Sequence, residues 1–207
     1  MKRFLLISLL INSLLFSFCK KDETGGTVAP IAQTITSLPA DPGTGVDPSN
    51  GQPIGTTGKY TLFNFATATV VANTDSATNK WDIGFKGTAI IFNSGISGPG
   101  NAGVIIQDGI LDDITTAPTI GYLQDNATSL AIPVGSGKGW YTYDGQAMVL
   151  RPTAGKILLV RTADNKYAKM EIISYYKDAP ANPTFMIPAR YFTFRYFYQG
   201  DGSTVLK

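Results

Sequence analysis

The chain has 207 residues, a net charge of +2, 15% charged residues, no histidine and a single cysteine, Cys19. The charge fraction lies below the roughly 25% of an ordinary soluble domain, and no basic stripe stands out, which argues against a nucleic-acid partner. Without histidine the usual general base and the commonest metal ligand are missing. One cysteine excludes intrachain disulfides and thiolate zinc sites.

Residues 1–18 read as a signal peptide. Met1-Lys2-Arg3 is cationic, and Phe4 to Phe18 is an apolar run too short to span a bilayer comfortably. Cys19 closes the run, where a cysteine suggests cleavage before it and lipidation of the new N-terminus. Phe18 departs from the small residue normally found before such a cut. Lys21-Asp22-Glu23 resembles the Lys-acidic-acidic signal that sends Bacteroidetes lipoproteins to the outer face of the outer membrane. Residues 19–58 are rich in Pro, Gly, Thr and Asp and read as a disordered tether, with a short strand allowed near Ile35. A flexible chain of this length has an end-to-end distance of about 30 Å.

Residues 59–207 read as one all-β domain of two packed sheets. Tyr60–Phe65 alternates and opens the fold, and Thr67–Asn73 continues extended. Trp81, Ile83 and Phe85 alternate with Asp82, Gly84 and Lys86 as a half-buried strand. Thr88–Phe92 predicts a central strand and Gly103–Gln107 another. Residues 109–130 predict a short helix or an irregular crossover. Tyr141–Tyr143 and Met148–Leu150 pair as a hairpin about "DGQA". Lys156–Arg161 and Tyr167–Tyr176 flank the turn "DNK". The last strand, Arg190–Tyr198, places Phe192, Phe194, Tyr196 and Tyr198 on one face.

Gly98, Gly100 and Gly103 spell G-x-G-x-x-G. A dinucleotide site would need a helix after the glycines. Here they lead into "VIIQDGI", which has strand character, so the glycines are expected to supply positive φ and close backbone approach in a wide turn. Catalytic signatures are also missing. Asp112-Asp113 are adjacent and point apart on an extended chain. No nucleophilic serine motif is present, nor any histidine to activate one. Asp82 is expected to hydrogen-bond a turn. The chain reads as a binding protein, not an enzyme.

Four stretches carry a resemblance: "WDIGFKGTAIIFNSGISGPGNAG" (81–103), "GWYTYD" (139–144), "GKILLVRTADNKYAKMEIISYYKD" (155–178) and "YFTFRYFYQ" (191–199). In order and spacing they resemble the HmuY family of haem-binding outer-membrane lipoproteins. The resemblance implies a non-covalent haem-capturing pocket near one end of an all-β domain, serving haem and iron acquisition. It implies two axial side chains, His or Met, and transfer to an outer-membrane haem receptor, with a host haemoprotein as a further partner. The sequence departs from the pattern: between Ala102 and Gly139 it has neither His nor Met.

Met148, in "DGQAMVLRP", is then the first candidate iron ligand, because a thioether is a soft, neutral donor to haem iron. Met186, in "NPTFMIPAR", lies on a Pro-bounded loop and is the second. Met170 alternates with Lys169 and Glu171 and is expected in the core. Tyr141 and Tyr143 are candidate pocket residues. With Tyr175 and Tyr176 they either line an apolar slot or ligate iron as phenolates. Arg151 is the candidate partner for a haem propionate, and Lys156 and Arg161 are weaker ones. An alternative reading stays open: a lipoprotein that keeps the scaffold, has lost haem, and binds a protein, a glycan or another hydrophobic ligand.

Overall fold

The computed structural model describes residues 32–47, 49 and 52–207. Met1-Lys2-Arg3, the apolar run, Cys19 and the Lys21-Asp22-Glu23 signal lie outside the described residues. In chain order the strands are β1 (Gln33–Pro39), β2 (Gly45–Val46), β3 (Pro53–Ile54), β4 (Thr61–Asn64), β5 (Thr69–Val71), β6 (Ile83–Lys86) and β7 (Ala89–Phe92). They continue with β8 (Gly103–Asp108), β9 (Tyr141–Asp144), β10 (Val149–Pro152), β11 (Lys156–Arg161), β12 (Tyr167–Tyr176) and β13 (Ala189–Gln199). The fold is all-β. A five-stranded sheet runs β1-β13-β12-β11-β8, a four-stranded sheet runs β5-β4-β6-β7, and β9-β10 and β2-β3 are separate hairpins. Every pairing within the two sheets is antiparallel.

The two sheets bury facing aromatic surfaces. Phe63, Phe65, Ile83, Phe85, Ile90 and Phe92 of the smaller sheet and its first turn meet Leu158, Val160, Met170, Phe192, Phe194 and Tyr196 of the larger one. Phe63 meets Phe194 edge-on at 5.5 Å between ring centres, and Phe85 lies 4.8 Å from Phe192. Such ring pairs add about 0.5–1.5 kcal/mol each beyond the area they bury. Phe192, Phe194 and Tyr196 share the inner face of β13, with Tyr198 packed beside them, as the alternation predicts. Met170 is fully buried there. On the opposite face of the larger sheet, Ile157, Leu159 and Phe197 pack under Leu111, Ile114 and Leu206 from irregular segments.

Several elements differ from the sequence expectation. The sheet begins at Gln33, where a short strand near Ile35 was allowed, but the strand is longer: Ile35 pairs with Phe194 and Leu38 with Phe192 on the edge of β13. A few apolar residues suffice there because the neighbouring strand supplies the hydrogen bonds. The β6 region is buried throughout from Trp81 to Phe85, not half-buried. Asp82 tolerates this because its carboxylate accepts the Phe65 and Ala163 N–H groups, both at 2.9 Å. Gly84 tolerates it because it has no side chain to collide with Leu62 and Ile91. After β5 the chain leaves the extended form for a 3-10 turn at Asn73–Asp75. Residues 109–130 hold one 3-10 turn, Leu111–Asp113, and are otherwise irregular.

The glycine loop serves packing. A side chain at Gly98 would strike the Asn93 carboxamide, and one at Gly100 would come within 2.8 Å of the Ala163 Cβ. Neither these two nor Gly103 has positive φ, contrary to expectation; closeness alone requires glycine. The loop leads into strand β8 instead of a helix, so it lacks the amide cluster a pyrophosphate needs. Asn93 stitches it down, donating to the Thr78 and Trp81 carbonyls and accepting the Gly100 N–H.

Candidate functional site

The hairpin β9–β10 and its loop carry four of the candidate residues, Tyr141, Tyr143, Met148 and Arg151, and its docking decides where they point. Trp140, just before β9, is the anchor. Its indole N–H donates to the Thr88 carbonyl at 3.0 Å, and its ring lies 5.0 Å from Phe192 and 5.6 Å from Tyr175. Tyr141 follows it into the core, 4.8 Å from the Trp140 ring and 7% exposed. Tyr143, two residues on, is 52% exposed, and its N–H donates to the Ser136 hydroxyl. The second strand is held by Tyr176, whose hydroxyl oxygen accepts the Leu150 N–H at 2.8 Å.

Met148 belongs to the turn, not to the strand. Asp144 pairs with Val149, so the loop is Gly145-Gln146-Ala147-Met148. The Asp144 carboxylate accepts the Gln146 and Ala147 N–H groups at 3.1 Å. Met148 closes the loop in the left-handed region at φ 54°. A second hairpin is built the same way: Asn64 pairs with Thr69, its side chain accepts the Thr67 N–H, and Ala68 closes the loop at φ 56°. The backbone at residue 148 is therefore dictated by the four-residue loop. Its methionine is not, since a bulky side chain is disfavoured at positive φ. The side chain is 50% exposed.

Met186 sits on the long connection between β12 and β13, tied at its base by the Lys177 N–H to the Pro188 carbonyl. Met186 is 80% exposed and Phe185 is 64% exposed, while Ile187 turns back against the core. Ala147 and Leu150, on either side of Met148, pack on that same core cluster. Tyr176, which ends β12 and leads into the Met186 loop, is the residue that holds Leu150. The two methionine-bearing loops thus belong to one end of the molecule, beside the Trp140–Tyr141–Tyr175–Phe192 aromatic group.

The electrostatics narrow the chemistry. Burial pushes the Tyr175 phenol far above its usual range and raises that of Tyr176 as well. Both stay protonated at neutral pH, which disfavours them as phenolate ligands. Arg151 lies with its Nε 3.6 Å from the Asp144 carboxylate. The Asp144 carboxyl is held below its usual range, chiefly by the Ala147 N–H and further by Gln146 and Arg151. An exposed pair of this kind is weak and can be exchanged for another anion at little cost. Lys156 is paired with Asp108 at 2.7 Å, and the Arg161 guanidinium donates to the Asn101 carbonyl. Among the described residues no group of three or more His, Cys, Asp or Glu is placed to hold a metal ion.

Sequence reasoning missed Trp140 and Tyr176 as the positioning residues. The signal available was the pair "GW" and the doublet "YY", but which strand each would join needed the tertiary fold. It also missed Phe185, the exposed apolar neighbour of Met186.

The family model for the HmuY protein matches residues 56–187, well over half of the chain. No curated protein is similar enough in sequence to match. Two crystal structures share the architecture. One, assigned as a HmuY-like heme binding protein of Bacteroides vulgatus, superposes with a TM-score of 0.50 at 16% identity, covering 81% of this chain and 91% of its own. The other, assigned as a lipoprotein of Bacteroides fragilis, gives a TM-score of 0.51 at 17% identity, covering 83% and 91%. At these identities the structures speak for the fold, and the family model speaks for descent: the chain belongs to the HmuY family.

Proposed function

We propose that the protein is an outer-membrane lipoprotein, anchored through Cys19, that captures haem non-covalently for iron acquisition. Met148 and Met186 are the axial ligands in this reading. The observation that carries it is the pair of solvent-facing thioethers on two loops that meet the same end of the fold through Tyr176 and Leu150. Neither thioether is covered by packing, so both are open to a ligand. Membership of a family that includes haem-binding proteins supports the same reading. Tyr141 backs the hairpin from within the core, Tyr143 offers an exposed ring for the porphyrin edge, and Arg151 a cation for a propionate once it leaves Asp144. A surface receptor or a host haemoprotein is the partner that such cargo implies.

Thioether sulfur is soft and neutral, so it favours ferrous over ferric haem. Titration with hemin under dithionite is therefore expected to give a sharp, shifted Soret band, stronger than the oxidised sample gives. Met148→Ala and Met186→Ala should each weaken binding by at least about tenfold, equivalent to about 1.4 kcal/mol. Unshifted spectra in both oxidation states would overturn the proposal. They would turn attention to the second reading, a family scaffold that binds a protein, a glycan or another apolar ligand.

A further inference from the structure

Peroxide attacks thioether sulfur, and the fold treats its methionines unequally. Met170 is fully buried between the two sheets, with Leu158 and Tyr196 as its neighbours in register. Met148 and Met186 stand in solvent. Met1 and Cys19 lie outside the described residues.

The backbone holds both exposed residues at the surface. Met148 closes a loop fixed by the Asp144 carboxylate, and Ala147 and Leu150 pack on the core to either side. Met186 occupies a corner of a β-turn in which the Ile187 N–H donates to the Thr184 carbonyl at 3.1 Å. Ile187 then packs on the core and pins the turn. An oxygen added to either exposed sulfur would face water and leave the core untouched. The same oxygen on Met170 would be a buried polar atom in an apolar cluster, which is costly without a hydrogen-bond donor.

We infer that Met148 and Met186 form a paired oxidation site: peroxide converts both to sulfoxides in the folded protein, spares Met170, and silences this end of the molecule. The reaction needs no activating base, because a thioether carries no proton on sulfur. A sulfur lone pair attacks one peroxide oxygen, the O–O bond breaks, and a proton passes to the departing oxygen, which leaves as water. Sulfur is oxidised by two electrons and the peroxide is reduced. Silencing follows because the sulfoxide is polar and chiral where the thioether was apolar and soft. Its effect on haem rests on the function proposed above; the pattern of oxidation does not.

The test treats the full chain with hydrogen peroxide and follows each methionine by mass. The three fall on separate tryptic fragments, Gly139–Lys156, Met170–Lys177 and Asp178–Arg190. The first and last fragments are each expected to gain one oxygen, about 16 Da, at least about tenfold faster than the middle one. In urea the three rates should converge, which assigns the sparing of Met170 to the fold. Circular dichroism of the oxidised protein should match that of the untreated one. Its affinity for reduced haem should fall by about tenfold or more. Treatment with the two methionine sulfoxide reductases, one for each epimer, should restore that affinity. Oxidation of Met170 as fast as Met186 in the folded chain would overturn the inference, as would resistance of Met148 or Met186. So would unchanged haem affinity once both are oxidised. A protein that binds no haem before treatment overturns the proposed function instead, and the fragment masses then decide the oxidation site by themselves.

Discussion

Met148 has two separable properties, its backbone and its sulfur. The loop requires a left-handed residue at position 148, a conformation that costs an L side chain roughly 1–2 kcal/mol and glycine nothing. Glycine returns part of this through its looser unfolded chain. Met148→Gly is thus expected to be at least as stable as the native protein, gaining up to about 1 kcal/mol in urea denaturation. It should bind reduced haem as poorly as Met148→Ala does. A variant that is more stable and still binds normally would remove Met148 from the site. The same residue marks a limit of reading sequence. The pattern "DGQAM" announces a hairpin, but its loop length depends on whether Asp144 pairs with Val149 or with Met148. One residue of register moves a side chain from a strand face to an exposed tip.

At the scale of the element, the hairpin β9–β10 is held by a few specific bonds. Its two strands pair only with each other, so its orientation rests on Trp140 and on the Tyr176 hydroxyl that accepts the Leu150 N–H. Tyr176→Phe keeps the ring and removes that acceptor. The expected cost is about 1 kcal/mol, the usual contribution of one such bond. It should appear as faster hydrogen exchange at the Leu150 amide and weaker haem binding, with the β11–β12 amides unchanged. Unchanged exchange at Leu150 would mean the hairpin is held by Trp140 alone. β12 and β13 were legible in the sequence because a buried face imposes a period of two, and β11 because its continuous apolar run, Ile157 to Val160, is buried on both faces. β1 was barely legible. Its pairing depends on β13, which lies more than 150 residues away in the chain and leaves no local mark.

For the whole molecule, the decisive buried polar residues are those that join separate parts. Asp82 accepts one N–H from the turn after β4 and one from the turn after β11, and so links the two sheets. Asp125 likewise accepts the Phe92 and Ala131 N–H groups. Neither forms an ion pair among the described residues. Burial raises the Asp82 carboxyl from 3.8 to about 6, although its two amide donors pull the other way. A raised carboxyl means the folded chain holds its proton longer than the unfolded chain. The stability tied to Asp82 is then fully present below pH 4 and is lost as pH rises through about 6. The shift corresponds to on the order of 2–3 kcal/mol. Asp82→Asn, which cannot ionise, should therefore compare more favourably with the native protein at pH 7 than at pH 4.5, by urea denaturation at each pH. A gap that does not change with pH would mean the carboxyl titrates normally. In sequence, Asp82 reads as the polar member of an alternating strand. Only the meeting of two distant turns makes it interior, so the fold class was legible and the way its halves are fastened was not.

The direction of β1 has a geometric outcome of its own. Gln33 lies opposite Tyr196, whereas Pro39 lies opposite Tyr191, near the connection that holds Met186. Upstream chain therefore joins the sheet at the far end of this pairing, about 20 Å from the Met186 end at the usual rise per residue. Under the proposed anchoring through Cys19, attachment through this strand would leave the Met186 end pointing away from the anchor.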